Sequence, residues 1–403
     1  MSNTEEIINK GNKYLMATYA RLPVVFQRGE DYHLWDVEGK EYLDFIAGYG
    51  VCSVGHSHPR VVEAIVEQAR EIIQPSNLFY NCPQVELAEL LSRLTIGGRS
   101  FLANSGAEAN EAAIKLARKY SRQKFRENRY EIITAYNSFH GRTLATLAAT
   151  GQLSKQKSFA PLTPGFKHVP FNNVEEMEKA ISEKDCAVMI EPIQGEGGVI
   201  VPDQSFLGKV RKLCNDHNLL LIIDEIQTGM GRTGELFAYQ HYGIEPDILT
   251  LAKGLGGGVP IGVMMARDPL WEVFDVGSHG STFGGNALAC TAALATLRII
   301  LEEDLSSRAK RTGEFFMERL KELHRKWPQF ISQVRGKGLM LAMEFKGDIA
   351  EEIVRQGLEE GLVLNGLTPR VIRFLPPLTI EESAIERLID FLNQVLIKLE
   401  KQH

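Results

Sequence analysis

Short apolar runs alternate along most of the chain with longer segments whose apolar positions recur at helical spacing. Two of these runs, 219–223 and 248–251, are rich in leucine and isoleucine and are flanked by polar or glycine-containing turns. Such runs are typical of strands that are buried on both faces of a parallel sheet. The same pattern predicts further strands at 101–103, 130–135, 187–190 and 261–266.

Helical periodicity fills most of the intervals between the predicted strands. It predicts helices that begin near residue 60 and at 85, a helix from Ser105 to about residue 120, and a long apolar helix at 287–301 that continues as a charged helix to 326. This alternation of strand, loop and helix predicts a doubly wound, mostly parallel sheet. Towards the C-terminus, strands at 338–345, 362–364 and 371–374 alternate with helices at 349–359 and 381–400, which predicts a smaller α/β unit.

The N-terminal region has a different pattern. Residues 1 to about 30 resemble a polar arm, and segments 32–37 and 42–45 form a predicted hairpin around the turn at 38–40. We therefore expect three parts: an arm and hairpin at 1–55 that belong to the small domain, a large domain at 56–300, and the remainder of the small domain at 301–403.

Composition excludes several classes of protein. The 403 residues carry a net charge of −6 with a pI near 6.0, so there is no basic surplus of the kind that binds nucleic acid or an anionic membrane. The five cysteines are scattered without CxxC spacing, which favours reduced thiols over a disulfide framework or a zinc site. No apolar run approaches the length of a membrane span, and no secretory signal is visible, so we expect a cytoplasmic protein.

Candidate chemistry appears at the ends of the first two strands. Asp224 closes the run at 219–223, and Lys253 follows the run at 248–251 and precedes a glycine-rich segment. Ligands of open parallel sheets bind beyond the carboxyl ends of the strands. A lysine that can form a Schiff base and a carboxylate that can pair with a protonated pyridine nitrogen are the two groups that a pyridoxal phosphate site requires. Either residue alone is more often a solvated loop residue or a helix cap.

A nicotinamide site is the competing interpretation of the same stretch. The segment 229–234 matches the dinucleotide pattern G-x-G-x-x-G. The predicted strand, however, ends five residues earlier, and the following strand closes on Lys253 where the ribose-binding acid is expected. The context therefore disfavours this alternative.

Several loop residues have two possible roles. Ser105 and Glu108 form a capping box that starts a helix, and the free amides behind it together with Gly106 form a possible phosphate site. Arg142 is able to bind a carboxylate in bidentate fashion, although a loop arginine is more often a surface charge. Glu191 and Glu196 are candidates either for acid–base groups or for partners of an arginine. His56 and His58 lack a third nearby ligand, which favours a structural role over a metal site.

The ordered motifs of the chain together resemble the class III aminotransferases of pyridoxal-phosphate fold type I, and among them the acetylornithine aminotransferases. The resemblance covers nearly the whole chain and rests on the segments LWDVEGKEYLDF, GHSHP, NSGAEANEAAIKLAR, FHGRTLATLAATG, EPIQGEGG, IIDEIQTGMGRTG, LAKGLGGGVPIG, GSTFGGNALAC and VIRFLPPL. It implies an α/β fold with a large doubly wound domain and a smaller α/β domain, pyridoxal 5'-phosphate as the cofactor, and a homodimer with shared active sites.

The resemblance also implies roles for individual residues. The implied catalytic residues are Lys253, which attaches the cofactor and transfers the proton, and Asp224, which pairs with the ring nitrogen. The other implied cofactor contacts are Ser105, Gly106 and Ala107 on the phosphate, Phe139 on the ring face, Gln227 on the ring 3-oxygen, and Thr282 on the phosphate of the neighbouring subunit. The implied substrate-binding residues are Arg142, Arg373, Glu196, Tyr19 and Tyr49.

The implied reaction moves the terminal amino group of N2-acetylornithine to 2-oxoglutarate and yields N-acetylglutamate 5-semialdehyde and glutamate, a step of arginine biosynthesis. Tyr49 keeps an alternative open, because ornithine δ-aminotransferases contact their substrate with a tyrosine at this position. Succinylornithine, succinyl-diaminopimelate and 4-aminobutyrate are the other alternative amino donors.

Overall fold

The computed structural model describes residues 2–125 and 128–401. Its helices are α1 Asn3–Tyr14, α2 Ala47–Gly50, α3 Pro59–Glu71, α4 Cys82–Leu94, α5 Gly106–Lys124, α6 Leu144–Ala149, α7 Leu153–Gln156, α8 Val174–Ala180, α9 Phe206–Asp216, α10 Ala287–Glu302, α11 Leu305–Lys326, α12 Ala350–Glu359 and α13 Glu382–Glu400. Its strands are β1 Phe26–Glu30, β2 His33–Asp36, β3 Glu41–Asp44, β4 Arg99–Ala103, β5 Glu131–Ala135, β6 Phe166–Val169, β7 Asp185–Ile190, β8 Leu220–Asp224, β9 Ile248–Leu251, β10 Gly262–Ala266, β11 Ile331–Lys337, β12 Met340–Phe345, β13 Leu362–Val363, β14 Asn365–Thr368 and β15 Val371–Phe374.

A seven-stranded sheet forms the centre of the molecule, with the strand order β4-β10-β9-β8-β7-β5-β6. The five strands β9, β8, β7, β5 and β6 run parallel to one another, whereas β10 is antiparallel to both β9 and β4. Alternate residues of β8 join two different hydrophobic clusters, Leu221 and Ile223 on one face and Leu220 and Ile222 on the other. The predicted double burial of this sheet is therefore confirmed, and it explains why the strands are continuously apolar.

Two smaller sheets combine segments from both ends of the chain. The first has the order β1-β2-β3-β13, in which Leu43 of β3 pairs in parallel with Leu362 of β13. The second, β11-β12-β15-β14, is antiparallel throughout. The predicted hairpin at 32–45 is confirmed by the antiparallel pairing of β2 with β3. The domain boundaries at residues 55 and 300 stay a prediction.

Several predicted elements were wrong. The N-terminal arm contains the helix α1, which begins with a reciprocal capping box between Ser2 and Glu5 and buries none of its residues. The predicted continuous helix across residue 302 is broken at Asp304, whose φ of 46° is left-handed and starts the separate helix α11. The strand β11 and the edge strand β14, which follows residue 364, were not predicted.

In the described part of the chain, none of the helices combines the length and the apolar character that a membrane crossing demands. All five cysteines are free thiols.

Candidate active site

A cavity of about 430 Å³ opens at the carboxyl ends of the central parallel strands. Asp224 is the last residue of β8, and Lys253 follows β9 after one alanine, so adjacent strands carry both groups to the same edge of the sheet. Both residues line this cavity. The predicted residues that line it with them are Ser105, Gly106, Ala107, Phe139, Arg142, Glu191, Glu196 and Gln227.

Lys253 is held in an unusual backbone conformation. Its φ is 42°, and it opens a single 3₁₀ turn that ends at Leu255. The next residue, Gly254, has no room for a side chain, because a Cβ there would lie 2.5 Å from Ser53 Oγ. Burial lowers the pKa of Lys253, and the charge of Arg373 lowers it further, although Glu196, Asp224 and Glu191 act in the opposite direction. The lowered pKa favours the neutral amine, which is the nucleophilic form.

Asp224 is buried within a network of hydrogen bonds. Its Oδ2 accepts a hydrogen bond from Asn110 Nδ2 at 2.8 Å and lies 2.8 Å from His140 Nδ1, while its Oδ1 accepts from Ile226 N at 3.1 Å. Burial alone would lower the pKa of His140, but the hydrogen bond and charge of Asp224 raise it. The carboxylate is thus oriented by three neighbours and paired with an imidazole that favours its protonated form.

The helix α5 points its N-terminus at the cavity. Ser105 Oγ accepts a hydrogen bond from Glu108 N at 3.2 Å, so Ser105 caps the helix as predicted. The other half of the predicted capping box was wrong, because Glu108 Oε2 accepts from Asn104 N at 2.5 Å instead of from Ser105 N. A Cβ on Gly106 would lie 2.7 Å from Ile226 Cδ1. The amides of Gly106 and Ala107 remain at the cavity wall, where a helix N-terminus attracts anions.

Arg373 lies on β15 of the small sheet and is completely buried. Its Nη1 donates to Glu196 Oε1 at 2.7 Å and to Gln227 Oε1 at 3.3 Å, and its Nε donates to Asn365 Oδ1 at 3.1 Å. Burial would raise the pKa of Glu196, but the charge and hydrogen bond of Arg373 outweigh burial and lower it. Of the two roles expected for Glu196, the structure shows the partner of an arginine.

Phe139 and Glu191 also line the cavity and are linked through the backbone. Phe139 N donates to Glu191 Oε2 at 3.1 Å, and Gly195 N donates to Glu191 Oε1 at 3.3 Å. Burial raises the pKa of Glu191 to about 7, despite the charge of His140. Arg142 is exposed, and its guanidinium carbon lies 5.6 Å from the centroid of the Phe139 ring. The Tyr49 ring lies 5.6 Å from the guanidinium carbon of Arg373, at the mouth of the site.

Four predicted residues are not part of the cavity wall of a single chain. Arg373 lies behind Glu196 and Gln227, which do line the cavity, and Tyr49 lies next to Arg373. The other two are Tyr19 and Thr282. Tyr19 is 74% exposed and packs against Arg21, and Thr282 belongs to an exposed loop. That loop is held in place by Gln74, which donates to the carbonyl of Thr282, and by Asn77, which donates at 2.9 Å to the carbonyls of Ser281 and Gly284. The roles of Tyr19 and Thr282 stay predictions.

Asn110 and His140 are residues of the candidate site that the sequence analysis missed. Both contact Asp224, yet they lie 114 and 84 residues before it in the chain. His140 Nε2 has no hydrogen-bond partner among the described residues, and neither has Gln227 Nε2 or Arg373 Nη2. In the sequence, Asn110 and His140 are marked only by their places within the motifs NSGAEANEAA and FHGRT. Membership of a motif does not indicate that either residue contacts Asp224.

The donor set fits pyridoxal phosphate. The cavity is lined by the buried carboxylate of Asp224, by the amine of Lys253, whose pKa is lowered by burial, and by the N-terminus of α5, which Ser105 caps. The unpartnered Nε2 of Gln227 is a buried donor at the cavity wall that a ring oxygen would satisfy.

Comparisons with known proteins agree with this geometry. The profile of the family described as aminotransferase class-III matches residues 14–396. The acetylornithine aminotransferase of Methanocaldococcus jannaschii is 50% identical over 397 residues, which cover 98% of this chain and 99% of the relative. The acetylornithine aminotransferase of Aquifex aeolicus is 47% identical over 384 residues, which cover 95% of this chain and 100% of the relative.

Solved structures with the same fold include both an ornithine aminotransferase and an acetylornithine aminotransferase. The ornithine aminotransferase from Toxoplasma gondii ME49 superposes with a TM-score of 0.96 at 36% identity and covers 100% of this chain and 97% of its own. The acetylornithine aminotransferase from Elizabethkingia anophelis gives a TM-score of 0.89 at 37% identity and covers 99% of this chain and 100% of its own.

Proposed function

The chain belongs to the class-III aminotransferase family, whose members are pyridoxal-phosphate-dependent enzymes, and from this premise we propose that it transfers the terminal amino group of N2-acetylornithine to 2-oxoglutarate. The products are N-acetylglutamate 5-semialdehyde and glutamate, which places the reaction in arginine biosynthesis. The observation that carries the proposal is the cavity lined by Asp224, Lys253, Arg142 and the Arg373 partner Glu196, in a chain about half identical to acetylornithine aminotransferases.

Lys253 is the residue that attaches pyridoxal phosphate and moves the substrate proton. The bound cofactor supplies a ring that withdraws electrons from the carbon bearing the amine. Lys253 Nζ would accept a proton from that carbon and return it at a second position, first as general base and then as general acid. The lowered pKa of Lys253, which burial causes, makes the amine a better proton donor than an ordinary lysine and favours its neutral form as a base.

Asp224 would pair with the protonated ring nitrogen of the cofactor. Its carboxylate is oriented in advance by contacts with Asn110 and His140. Ser105, Gly106 and Ala107 would bind the phosphate, Phe139 would cover one face of the ring, and Gln227 would donate Nε2 to the ring 3-oxygen.

Two arginines divide the recognition of the substrates. Arg142 would bind the carboxylate of the acylated ornithine, while Arg373 would bind the α-carboxylate of glutamate. Glu196 neutralises Arg373 in the present structure at 2.7 Å. A buried guanidinium without a partner is costly, so Glu196 would occupy Arg373 whenever the amino donor lacks a carboxylate at that position.

A homodimer and a cytoplasmic location are further parts of the proposal. Exposed apolar side chains are concentrated at Leu78, Phe79, Tyr80 and Phe283, next to the loop that carries Thr282. A second copy of the chain that covered this surface would receive Thr282 at its phosphate site. The five free cysteines agree with a reducing compartment.

The comparison of N2-acetylornithine with free ornithine tests the assignment. Steady-state kinetics with 2-oxoglutarate as acceptor should give the higher kcat/KM for N2-acetylornithine. A clear preference for free ornithine would replace the acylated substrate by ornithine, the second candidate, which Tyr49 beside Arg373 and the ornithine aminotransferase fold of the Toxoplasma protein support.

A further inference from the structure

A second cavity, of about 400 Å³, lies between the loop that follows β8 and the elements α11 and β11. It is almost as large as the candidate active site, and it shares no described residue with the wall of that site. We call it the junction pocket, and the residues that line it include Thr233, His241, Lys310, Met317, Lys321 and Lys337. The proposed reaction makes no use of this pocket.

One wall of the junction pocket is a single face of the helix α11. The residues of this face recur at intervals of three or four positions, which places them on the same side of the helix: Lys310, Glu314, Met317 and Lys321. The helix packs closely on the turn between β11 and β12, since a Cβ on Gly313 would lie only 2.2 Å from the carbonyl oxygen of Gly338. This close packing brings Lys337, the last residue of β11, to the same pocket as the lysines of α11.

Two of the three lysines in the pocket have no partner. Lys310 and Lys337 form neither an ion pair nor a side-chain hydrogen bond with any residue in the described ranges 2–125 and 128–401. Lys321 lies 3.9 Å from Glu318, but Glu318 is closer to Arg325, at 2.9 Å. The ammonium groups of Lys310 and Lys337 therefore keep all of their hydrogens available to a ligand.

The charge of these two lysines is concentrated at the end of the pocket that contains His241. Burial lowers the pKa of His241, and the charges of Lys337 and Lys310 lower it further, to about 4. Among the described contacts, only the hydrogen bond that His241 Nε2 donates to the carbonyl of Thr233 at 3.1 Å acts in the opposite direction. Glu314 also lines the pocket, but it does not raise the pKa of His241, so it does not offset the lysines at this end.

The composition of the wall favours one kind of anion. A lysine ammonium is a point charge that suits phosphate, whereas bidentate recognition of a carboxylate uses the fork of an arginine, and the described wall contains no arginine. Met317 and Leu341 add apolar surface to the wall. The volume is typical of a pocket for a small organic molecule and exceeds the needs of a single ion.

We propose that the junction pocket is a binding site for a small organic phosphate. The phosphate group lies between Lys310 and Lys337 beside His241, and the organic part packs against Met317 and Leu341. This site is separate from amino-group transfer and goes beyond the proposed function. Binding is measured without turnover, so either proposal can fail while the other stands.

The test is isothermal titration calorimetry of the holoenzyme, saturated with cofactor and at constant ionic strength, with phenyl phosphate as the probe. Lys310→Met and Lys337→Met keep the length of the side chain but remove the charge, so each should weaken binding about fivefold to tenfold. The matched control is Lys326→Met, which removes an exposed lysine at the end of the same helix and should change the affinity less than about twofold. Lys337→Arg keeps the charge and should retain most of the affinity.

Two further ligands test the chemistry of the site. Inorganic phosphate should bind more weakly than phenyl phosphate, because it lacks the part that contacts Met317 and Leu341. Succinate should show no binding that depends on Lys310. Inorganic phosphate that binds as tightly as phenyl phosphate would overturn the role of the organic part, and succinate whose affinity falls in Lys310→Met would overturn the preference for phosphate.

The remaining outcomes separate this inference from the proposed function. A wild type that does not bind phenyl phosphate below about 10 mM overturns the site, and so does an equal loss of affinity in Lys326→Met, because the effect is then one of general surface charge. The lysine variants should keep wild-type turnover of N2-acetylornithine, since none of these lysines lines the candidate active site. A wild type that binds phenyl phosphate but does not use N2-acetylornithine overturns the proposed substrate and leaves the phosphate site in place.

Discussion

The inner and outer ends of the cavity are built on different principles. At the inner end, Asp224 and Lys253 sit at the ends of adjacent central strands, and hydrogen bonds from Asn110 and His140 surround the carboxylate. At the outer end, the charges of Arg142 and Lys155 come from a loop and a short helix and have no carboxylate partners among the residues described.

Arg373 combines features of both ends. It is as deeply buried as Asp224, but its partner Glu196 keeps a side-chain exposure of 24%. A partner with access to solvent is free to leave when a substrate carboxylate takes its place. The difference shows that Asp224 and Lys253 are positioned before substrate binds, whereas the arginines that bind substrate carboxylates acquire or exchange their anionic partners on binding. The predictions below test this division, from the largest effect to the smallest.

Replacement of Lys253 by alanine should abolish the reaction. The variant loses both the amine that attaches the cofactor and the group that moves the proton, so we expect kcat to fall by at least about 10³-fold. Steady-state rates and the visible absorbance of the purified protein check this together, since the variant should also lack covalently held cofactor. Lys157→Ala is the control for a lost surface lysine, and comparable turnover in the two variants would end the assignment of Lys253.

The asparagine variant of Asp224 separates charge from shape at the inner end. It keeps the size of the side chain but removes the charge that holds a proton on the ring nitrogen, so we expect kcat to fall about 10²- to 10³-fold. Unlike Lys253→Ala, it should still hold the cofactor covalently. A variant that keeps more than about a tenth of wild-type kcat would show that the fixed charge is dispensable.

The sequence analysis predicted the inner end of the site better than the fold around it. Asp224 and Lys253 were found because strands buried on both faces are continuously apolar and end abruptly at polar residues. Strand direction leaves no such trace, so the antiparallel course of β10 was not visible. The helix α1 was missed because it buries no residue and has no apolar face against the core.

The hydrogen-bond partners of Asp224 and Arg373 could not be predicted from local sequence patterns, because they lie far away in the chain. Asn110 and His140 meet Asp224 only because α5, the loop after β5 and β8 converge in space. The ion pair of Glu196 with Arg373 joins residues 177 positions apart. Its two members were assigned from the resemblance to a family, and the pattern of the chain alone offered no means to pair them.

Two buried acids, Glu191 and Glu225, should make the stability of the fold depend on pH. Burial raises the pKa of both Glu191 and Glu225 to about 7, and only Glu191 lines the cavity. Between the ordinary pKa of 4.5 and about 7, each of these two carboxyls binds more protons in the folded protein than in the unfolded chain. The contribution of each to the free energy of unfolding therefore falls as pH rises through this window.

Glutamine at either position should remove that group's share of the fall, which is on the order of 2 kcal/mol. Denaturant unfolding at pH 5 and pH 8 measures the difference. Only Glu191→Gln should also alter kcat, because Glu191 supports the backbone of Phe139 and Gly195 at the cavity. Equal kinetic effects of the two variants would contradict a local role of Glu191.

Removal of the Glu196 charge tests whether the outer end adjusts to its substrates. In Glu196→Gln the guanidinium of Arg373 loses its anionic partner, so it becomes available to any carboxylate. We expect kcat/KM for N2-acetylornithine to fall about tenfold, while that for glutamate in the reverse direction stays the same or rises. Single-turnover measurements of the two half-reactions separate the effects. Equal losses in both would mean that Glu196 only maintains the structure of the site.

The exchange of Tyr49 for isoleucine should have the smallest effect. The Tyr49 ring is half-exposed and lies 5.6 Å from the guanidinium carbon of Arg373, a contact worth less than about 1 kcal/mol. Its loss removes a polar hydroxyl from the mouth and leaves an apolar wall, so the ratio of kcat/KM for N2-acetylornithine over free ornithine should rise about threefold. The matched control is Tyr14→Ile on α1, which removes a tyrosine under Lys13 at 5.0 Å far from this network. A ratio that shifts equally in both variants, or that falls in Tyr49→Ile, would show that the outer end selects its amino donor without this tyrosine.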